Sequence, residues 1–565
     1  MRIAILRGFL VILFIILFTD LFLMQLIKGR EYAKQSENNR IRLVPEDASR
    51  GIIYDRNNIA LVENKLAFDI VAVPYEIESK NKKTLFARLS KFLNINPEVL
   101  ADTFSCNYNQ SFSPVMLASD VNREIAFSIE QNITQLAGIF VKTRAVREYI
   151  YGPVCAHIIG YIGKMQEDEY PELRKYGYQI KDFIGRNGLE KSFDAYLRGK
   201  PGGMQLEVNS EGSIIQVLSY RPPAKGEDLY LTIDVELQTL IYNLLSGTNS
   251  AVTVMNADTG EILALLSSPS FDPNILIDKK KYNQIGEILK DQNSPLLNRN
   301  LNAYPPGSIF KIVTAYAGLS KGKIDLTSEF FCPGFLNLGN TTRHCWLKKG
   351  HGQVNITHAL ATSCNVFFWE LGLKIGEKNL ADSAQIFGFS KQTKVELPSE
   401  NTGLLPQARW KMQTKHEKWY AGDTLNFSIG QGFLLVTPLQ TAKMVAMIAN
   451  GGKEIKPHLI KTTNKVNKSK QILSPSAVTI IKKGMFEVVN SSFGTGRKAA
   501  LSNIKVYAKT GTAQTGQGET HAWFVGFAQA GNKNICFVIF LEHGGHGGER
   551  PAEIAKEIIL YFKKD

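Results

Sequence analysis

Three observations predict an α+β fold in two domains behind a membrane anchor. The chain has 565 residues, too many for one hydrophobic core. Near its start, GFLVILFIILFTDLFLMQLI (Gly8–Ile27) is about as long as the ~20 apolar residues that a spanning helix needs. In the second half, alternating strand patterns stand at both ends with apolar helical runs between them, which predicts an antiparallel sheet joined by its termini and flanked by helices.

The elements follow in order. Residues 1–7 carry Arg2 and Arg7, and basic residues favour the cytoplasmic side. Residues 8–27 are the predicted transmembrane helix, with Asp20 toward its outer end. No small-residue cleavage site follows, so an uncleaved anchor is expected, with the remainder outside the cytoplasm. Residues 28–225 read as a mixed α/β domain. Its SRGIIYDRNNIALVEN (49–64) predicts strand, turn and strand, and FIGRNGLEKSFDAYLRGKPGG (183–203) a glycine-flanked helix. RPPAKGED (221–228) has linker composition and sets the boundary of a second domain, 226–565. There AVTVMNADTGEILALLS predicts a hairpin turning at Ala257–Gly260. HAWFVGFAQAGNKNICFVIFLE predicts another turning at Gly531–Asn534, followed by a last helix with Pro551 in its first turn.

Composition is ordinary for a globular chain, 44% hydrophobic and 21% charged, with a net charge of +14. No basic stripe with interleaved aromatics and no zinc-finger spacing supports nucleic-acid binding. An anionic lipid or cell-wall surface fits the charge better.

The chemistry starts at YPPGSIFKIVTAYAGL (304–319). Ser308 and Lys311, at i and i+3, share one helix face, and the serine lies near the unpaired N–H groups of a helix mouth. Apolar neighbours would bury Lys311, lowering its pKa and opening its neutral form as a base. S-x-x-K alone is weak: Ser320/Lys323 repeats it among polar residues, and an N-cap serine beside a snorkelling lysine explains it equally well. Two further motifs add weight. Ser363-Cys364-Asn365 begins a second apolar helix, where a hydroxyl and an amide can relay a proton and hold a substrate amide. Lys509-Thr510-Gly511-Thr512 ends a strand, where a cation and two hydroxyls suit an anionic substrate tail and Gly511 admits a close backbone.

S-x-x-K, S-x-N and K-T-G in this order resemble the β-lactamase and penicillin-binding protein class over roughly residues 226–565. TPLQTAKMVAMIANGG (437–452) looks like that class's helix beside the site. The range 28–225, with SRGIIYDRN and GRNGLEKSFDAYLRG, is similar to the non-catalytic pedestal (dimerisation-type) domain of class B penicillin-binding proteins. SPSFDPN (268–274), NSPLLNRNLNAYPPGSIFK (293–311) and WYAGDTLNFSIGQGF (419–433) look most like the elongation branch, penicillin-binding protein 2. The division branch, penicillin-binding protein 3, is the nearest alternative. The resemblance implies a single-pass protein of the bacterial plasma membrane that crosslinks peptidoglycan stem peptides as a serine D,D-transpeptidase. It implies Ser308 as nucleophile and Lys311 as base. Ser363, Asn365 and Lys509 complete the relay, and Thr510, Gly511 and Thr512 bind the substrate. It also implies acylation by β-lactams, no catalytic cofactor, and partners of the SEDS glycosyltransferase (RodA) and MreC-scaffold types. A hydrolase would need a further base carboxylate, which the sequence does not point to. A non-catalytic scaffold of the wall-synthesis complex remains as the other alternative.

Cys332, Cys345, His351 and Cys364 fall between the first two motifs and form a Cys₃His set suited to a structural zinc. A Cys332–Cys345 disulfide, Cys364 as a core residue, and His344 or His358 in place of His351 are the competing readings.

Overall fold

The computed structural model describes residues 2–28, 41–78, 80–108, 114–208, 214–278, 281–461, 469–516 and 518–563. Helix α1 (Arg2–Phe22) runs on through a π turn (Leu23–Ile27), so the apolar run is helical throughout. Ile5–Ile27, with a mean hydropathy of 2.6 and no buried residue, is the one stretch among the described residues long and apolar enough to cross a membrane.

The chain divides into two compact units. One holds Met1–Gly51, Asn64–Glu148 and Ala195–Glu227; the other holds Ile52–Glu63, Tyr149–Asp194 and Asp228–Asp565. Two stretches of the range 28–225, Ile52–Glu63 and Tyr149–Asp194, group with the second unit by their contacts. Specific polar contacts hold one of them there. Asn274 pairs with the Tyr149 backbone in both directions (3.0 and 2.9 Å), and His157 Nε2 hydrogen-bonds the Pro295 carbonyl at 2.8 Å.

In the first unit, Ile41–Glu46, Gly202–Val208 and Ile214–Arg221 make an antiparallel sheet. The chain from Phe68 to Ala72 pairs with Val115–Val121. Helices Lys82–Leu93 and Pro97–Cys106 bury Phe86, Leu89, Leu100 and Phe104 in the same core. The helix expected over 183–203 is broken. Two short pieces, Gly188–Ser192 in the second unit and Asp194–Leu197 at the division between the units, are separated at Phe193.

In the second unit helix α2 (Val235–Leu244) precedes five antiparallel strands: β1 (Ser250–Asn256), β2 (Ile262–Ser268), β3 (Val506–Ala513), β4 (His521–Ala530) and β5 (Lys533–Leu541). They lie in the order β2-β1-β5-β4-β3, so the chain's two ends of this unit meet side by side at β1 and β5, as the hairpins at either end predicted. The β4–β5 turn is tighter than expected. Ala530 pairs with Lys533, leaving only Gly531 and Asn532, and Gly531 takes φ +58° as such a turn requires.

The period of two sends alternate residues to opposite faces. Val252, Val254, Phe524, Phe537 and Ile539 pack with α2 and with the last helix, Arg550–Tyr561. The other face meets helix Pro438–Ala449, and α3 (Lys311–Ser320), packed among other helices, has its first eight residues all buried. A helix buried on every side can be apolar all round, which is what its sequence shows.

Candidate active site

Ser308 does not open an α-helix. It lies in a 3₁₀ turn (Gly307–Phe310), and Lys311 is the first residue of α3. With three residues per turn, i and i+3 come into line more closely than on an α-helix, so the turn sharpens the expected pairing. Two glycines let this turn press against strand β3. Gly307 has φ +55°, and a Cβ there would stand 2.7 Å from the Thr512 carbonyl oxygen. A Cβ on Gly511 would meet Ile309 at 2.8 Å. K-T-G thus needs its glycine for the protein's own packing as well as for any ligand. Ser308 remains partly exposed between them.

The S-x-N serine is held by a helix end. Helix α4 (Ile356–Ala361) stops in a Schellman arrangement: the Cys364 N–H donates to the Ala359 carbonyl (3.0 Å) and the Ser363 N–H to the Leu360 carbonyl (3.3 Å). Ser363 therefore occupies the left-handed position usually given to glycine, at φ +53°. The next helix, α5 (Asn365–Ile375), starts at once. A side chain in this conformation costs roughly 1 kcal/mol, and such strain gathers at functional sites. Ser363→Gly is accordingly expected to melt about 2 °C higher than Ser363→Ala while both lose activity; differential scanning calorimetry checks it.

From this position Ser363 Oγ lies between two buried amines, 3.2 Å from Lys311 Nζ and 2.8 Å from Lys509 Nζ. Lys311 also donates to the Ser363 carbonyl (2.8 Å) and Asn365 Oδ1 (2.6 Å), and Lys509 to the Thr510 carbonyl (2.9 Å). Both lysines are wholly buried. Their nitrogens are roughly 6 Å apart at most, and two full charges at that distance repel by about 3 kcal/mol at an effective dielectric of 20. Burial pulls Lys311 down to about 8. Burial, and then the charge of Lys311, hold Lys509 well below its ordinary value. A neutral amine beside the serine is thus accessible near neutral pH.

The structure brings together all three motifs: Ser308 and Lys311, Ser363 and Asn365, and Lys509 with Thr510, Gly511 and Thr512. Thr510, one step along the strand from Lys509, turns the other way and pairs its hydroxyl with that of Thr495 at 2.8 Å. Thr495 went unrecognised in the sequence, where FGTGR carries no distinguishing pattern. The Gly430 carbonyl, inside the quoted SIGQGF, accepts from the Gly307 N–H at 2.8 Å and fixes the nucleophile's turn. By contrast, Ser320 and Lys323 are exposed, as a solvated S-x-x-K should be.

Behind the S-x-N turn the four expected ligands converge. The sulfurs of Cys332, Cys345 and Cys364 and a nitrogen of His351 all lie within 4.8 Å of one another. His351 Nδ1 is 3.5 Å from Cys332 Sγ and 3.6 Å from Cys345 Sγ. Ligands at tetrahedral zinc distances are about 3.5 Å apart for sulfur and nitrogen, so the set fits the ion. All six cysteines are free thiols, with no Cys332–Cys345 bond. His344 stands on an exposed strand and His358 packs on Phe493, so His351 is the histidine of the set. A hydrogen bond from the Cys364 thiol, above all, holds Cys345 well below the ordinary thiol value.

Comparisons with known proteins agree along the chain. Residues 250–560 match the family described as penicillin binding protein transpeptidase domain, and 45–231 the penicillin-binding protein dimerisation domain. The peptidoglycan D,D-transpeptidase MrdA of Acinetobacter baumannii is 32% identical over 590 residues, spanning 98% of this chain and 86% of that protein. Among solved structures, the complex of PBP2 with MreC from Helicobacter pylori superposes with a TM-score of 0.83 at 28% identity, over 93% of this chain and 99% of the other. A peptidoglycan synthase complex described as coordinating polymerisation and crosslinking gives 0.77 at 27% identity, over 100% and 98%.

Proposed function

The chain belongs to the class B penicillin-binding proteins, most like penicillin-binding protein 2, and from this we infer a peptidoglycan D,D-transpeptidase of cell-wall elongation. One observation carries the catalytic assignment: Ser363 Oγ bridges two buried amines, one of them the Lys311 that follows the partly exposed Ser308 by one turn. In our reading Ser308 Oγ attacks the carbonyl of the penultimate D-Ala of a stem peptide, and neutral Lys311 takes its proton. The N–H groups of Ser308 and Thr512 stabilise the oxyanion. As the C–N bond breaks, Ser363, supplied by Lys509, delivers a proton to the leaving D-Ala amine. Asn365 holds the peptide amide, and the Thr510 and Thr512 hydroxyls take the terminal carboxylate. An amine from a neighbouring stem then attacks the ester and releases Ser308.

The experiment is intact-protein and peptide mass spectrometry after penicillin treatment. The expected result is one stable adduct on the peptide containing Ser308. Rapid release of opened drug would instead favour a hydrolase, and no acylation at all a scaffold.

The same reading gives the anchor and partners. Arg2 and Arg7 favour a cytoplasmic N-terminus, which puts the transpeptidase unit outside. The solved complexes, one with MreC and one that joins polymerisation to crosslinking, support an MreC-type scaffold and a polymerising enzyme as partners, for which we propose the SEDS (RodA) type.

Cys332, Cys345, His351 and Cys364 would hold a structural zinc with four protein ligands and no open position. The ion would supply a crosslink and no chemistry. Because Cys364 lies between Ser363 and Asn365, that crosslink would fix the relay. Cys332→Ser is expected to lose the metal, to melt roughly 5 °C lower, and to be acylated several-fold more slowly. Plasma mass spectrometry of the metal and calorimetry check this.

A further inference from the structure

The two peptide groups flanking Ser363 are both gripped by side chains. The Ser363 carbonyl accepts from Lys311 Nζ at 2.8 Å, and the Thr362 carbonyl accepts from the indole Nε1–H of Trp346 at 3.0 Å. Trp346 is 57% exposed, so its place is not explained by burial. Its ring stands edge-on to His351, with centroids 5.3 Å apart, and it follows Cys345 directly in the chain. The indole thus spans from the cysteine–histidine knuckle to the one residue of the S-x-N motif held at positive φ. The local Schellman bonds fix the N–H groups of Ser363 and Cys364 but leave the Thr362 carbonyl to be held from outside. That carbonyl belongs to the peptide whose tilt sets where Ser363 Oγ points.

We propose that Trp346 is a positioning residue for the transpeptidase reaction: its indole N–H clamps the Thr362–Ser363 peptide and so keeps the strained Ser363 hydroxyl between Lys311 and Lys509. This rests on the transpeptidase reading. Trp346 touches none of the reacting groups, and its ring contact with His351 makes it a second tie, besides the backbone through Cys364, between the ligand cluster and the relay.

Trp346→Phe keeps the ring and removes the donor. Stopped-flow acylation with a reporter β-lactam separates drug binding from the acylation step. The expected result is that the acylation rate constant falls by about fivefold to tenfold, the size of one lost hydrogen bond, with the binding constant and the metal content unchanged. Amide exchange measured by mass spectrometry should speed up over 358–368 and nowhere else in the unit. An unchanged acylation constant, or a fall matched by loss of metal or by exchange throughout the unit, overturns the proposal. If the phenylalanine variant does not fold, benzothienylalanine at 346 replaces only the N–H by sulfur, and the same outcomes apply. Wild-type protein that is not acylated at Ser308 refutes the transpeptidase reading; wild-type acylation equalled by the variant refutes this proposal alone.

Discussion

Ser308→Ala removes the penicilloyl adduct while leaving the melting temperature within about 2 °C of wild type. In the proposed reaction the oxygen deleted is the one that forms the ester, so no other group can substitute for it, and the loss in acylation should exceed about 10⁴-fold. The fold should not notice. Ser308 is partly exposed, and the geometry of its turn is set by Gly307, by the Gly430 carbonyl and by the fit against Gly511. Electrophoresis with a fluorescent penicillin, run beside calorimetry, reads both. An adduct persisting in the alanine variant would mean that another side chain is the nucleophile. Failure of the same variant to support rod shape in cells depleted of the native protein would separate an enzyme from a scaffold.

Lys311→Met has the second-largest effect. The amine has three acceptors; methionine leaves the Ser363 carbonyl and Asn365 Oδ1 without this donor, leaves Ser363 Oγ to Lys509 alone, and removes the proposed base. Acylation should fall by about 10³-fold. In the wild type the rate should climb about tenfold per pH unit and level off near 8, where the buried amine becomes neutral. The same shift predicts how stability changes with pH. The folded amine titrates near 8 and the unfolded one near 10.5, so between those values the unfolded chain binds the extra proton. Stability then rises with pH across that window, by up to roughly 3 kcal/mol, and below it the full penalty of a buried charge persists. The difference between wild-type and Lys311→Met melting curves from pH 7 to 10 isolates this group. A wild type whose advantage over the variant stays flat through that window would show that Lys311 is not a depressed, buried amine.

Much of the site was legible because its chemistry is local. Ser308 and Lys311 are bound by helical spacing, and apolar neighbours announced that Lys311 would be buried. The four ligands were legible as residue types within one glycine-rich stretch. The choice among His344, His351 and His358 was not, since it depends on which loop folds back onto Cys332. Thr495 was invisible because its meaning lies in a hydroxyl partner 15 residues away on β3. The break at Phe193 also escaped, because tertiary contacts overrode a continuous-looking pattern.

By itself, then, the sequence determined the class of fold, the long apolar N-terminal helix, the three motifs S-x-x-K, S-x-N and K-T-G, and the residue types of a cysteine–histidine cluster. These follow from periodicities of two and about three and a half, and from side-chain chemistry, which need no long-range information. Only the tertiary structure decided that one hydroxyl, in a backbone conformation that serine ordinarily avoids, would stand between two amines 52 and 146 residues away. Local propensity opposes that conformation by about 1 kcal/mol, and the packing around it outweighs the cost.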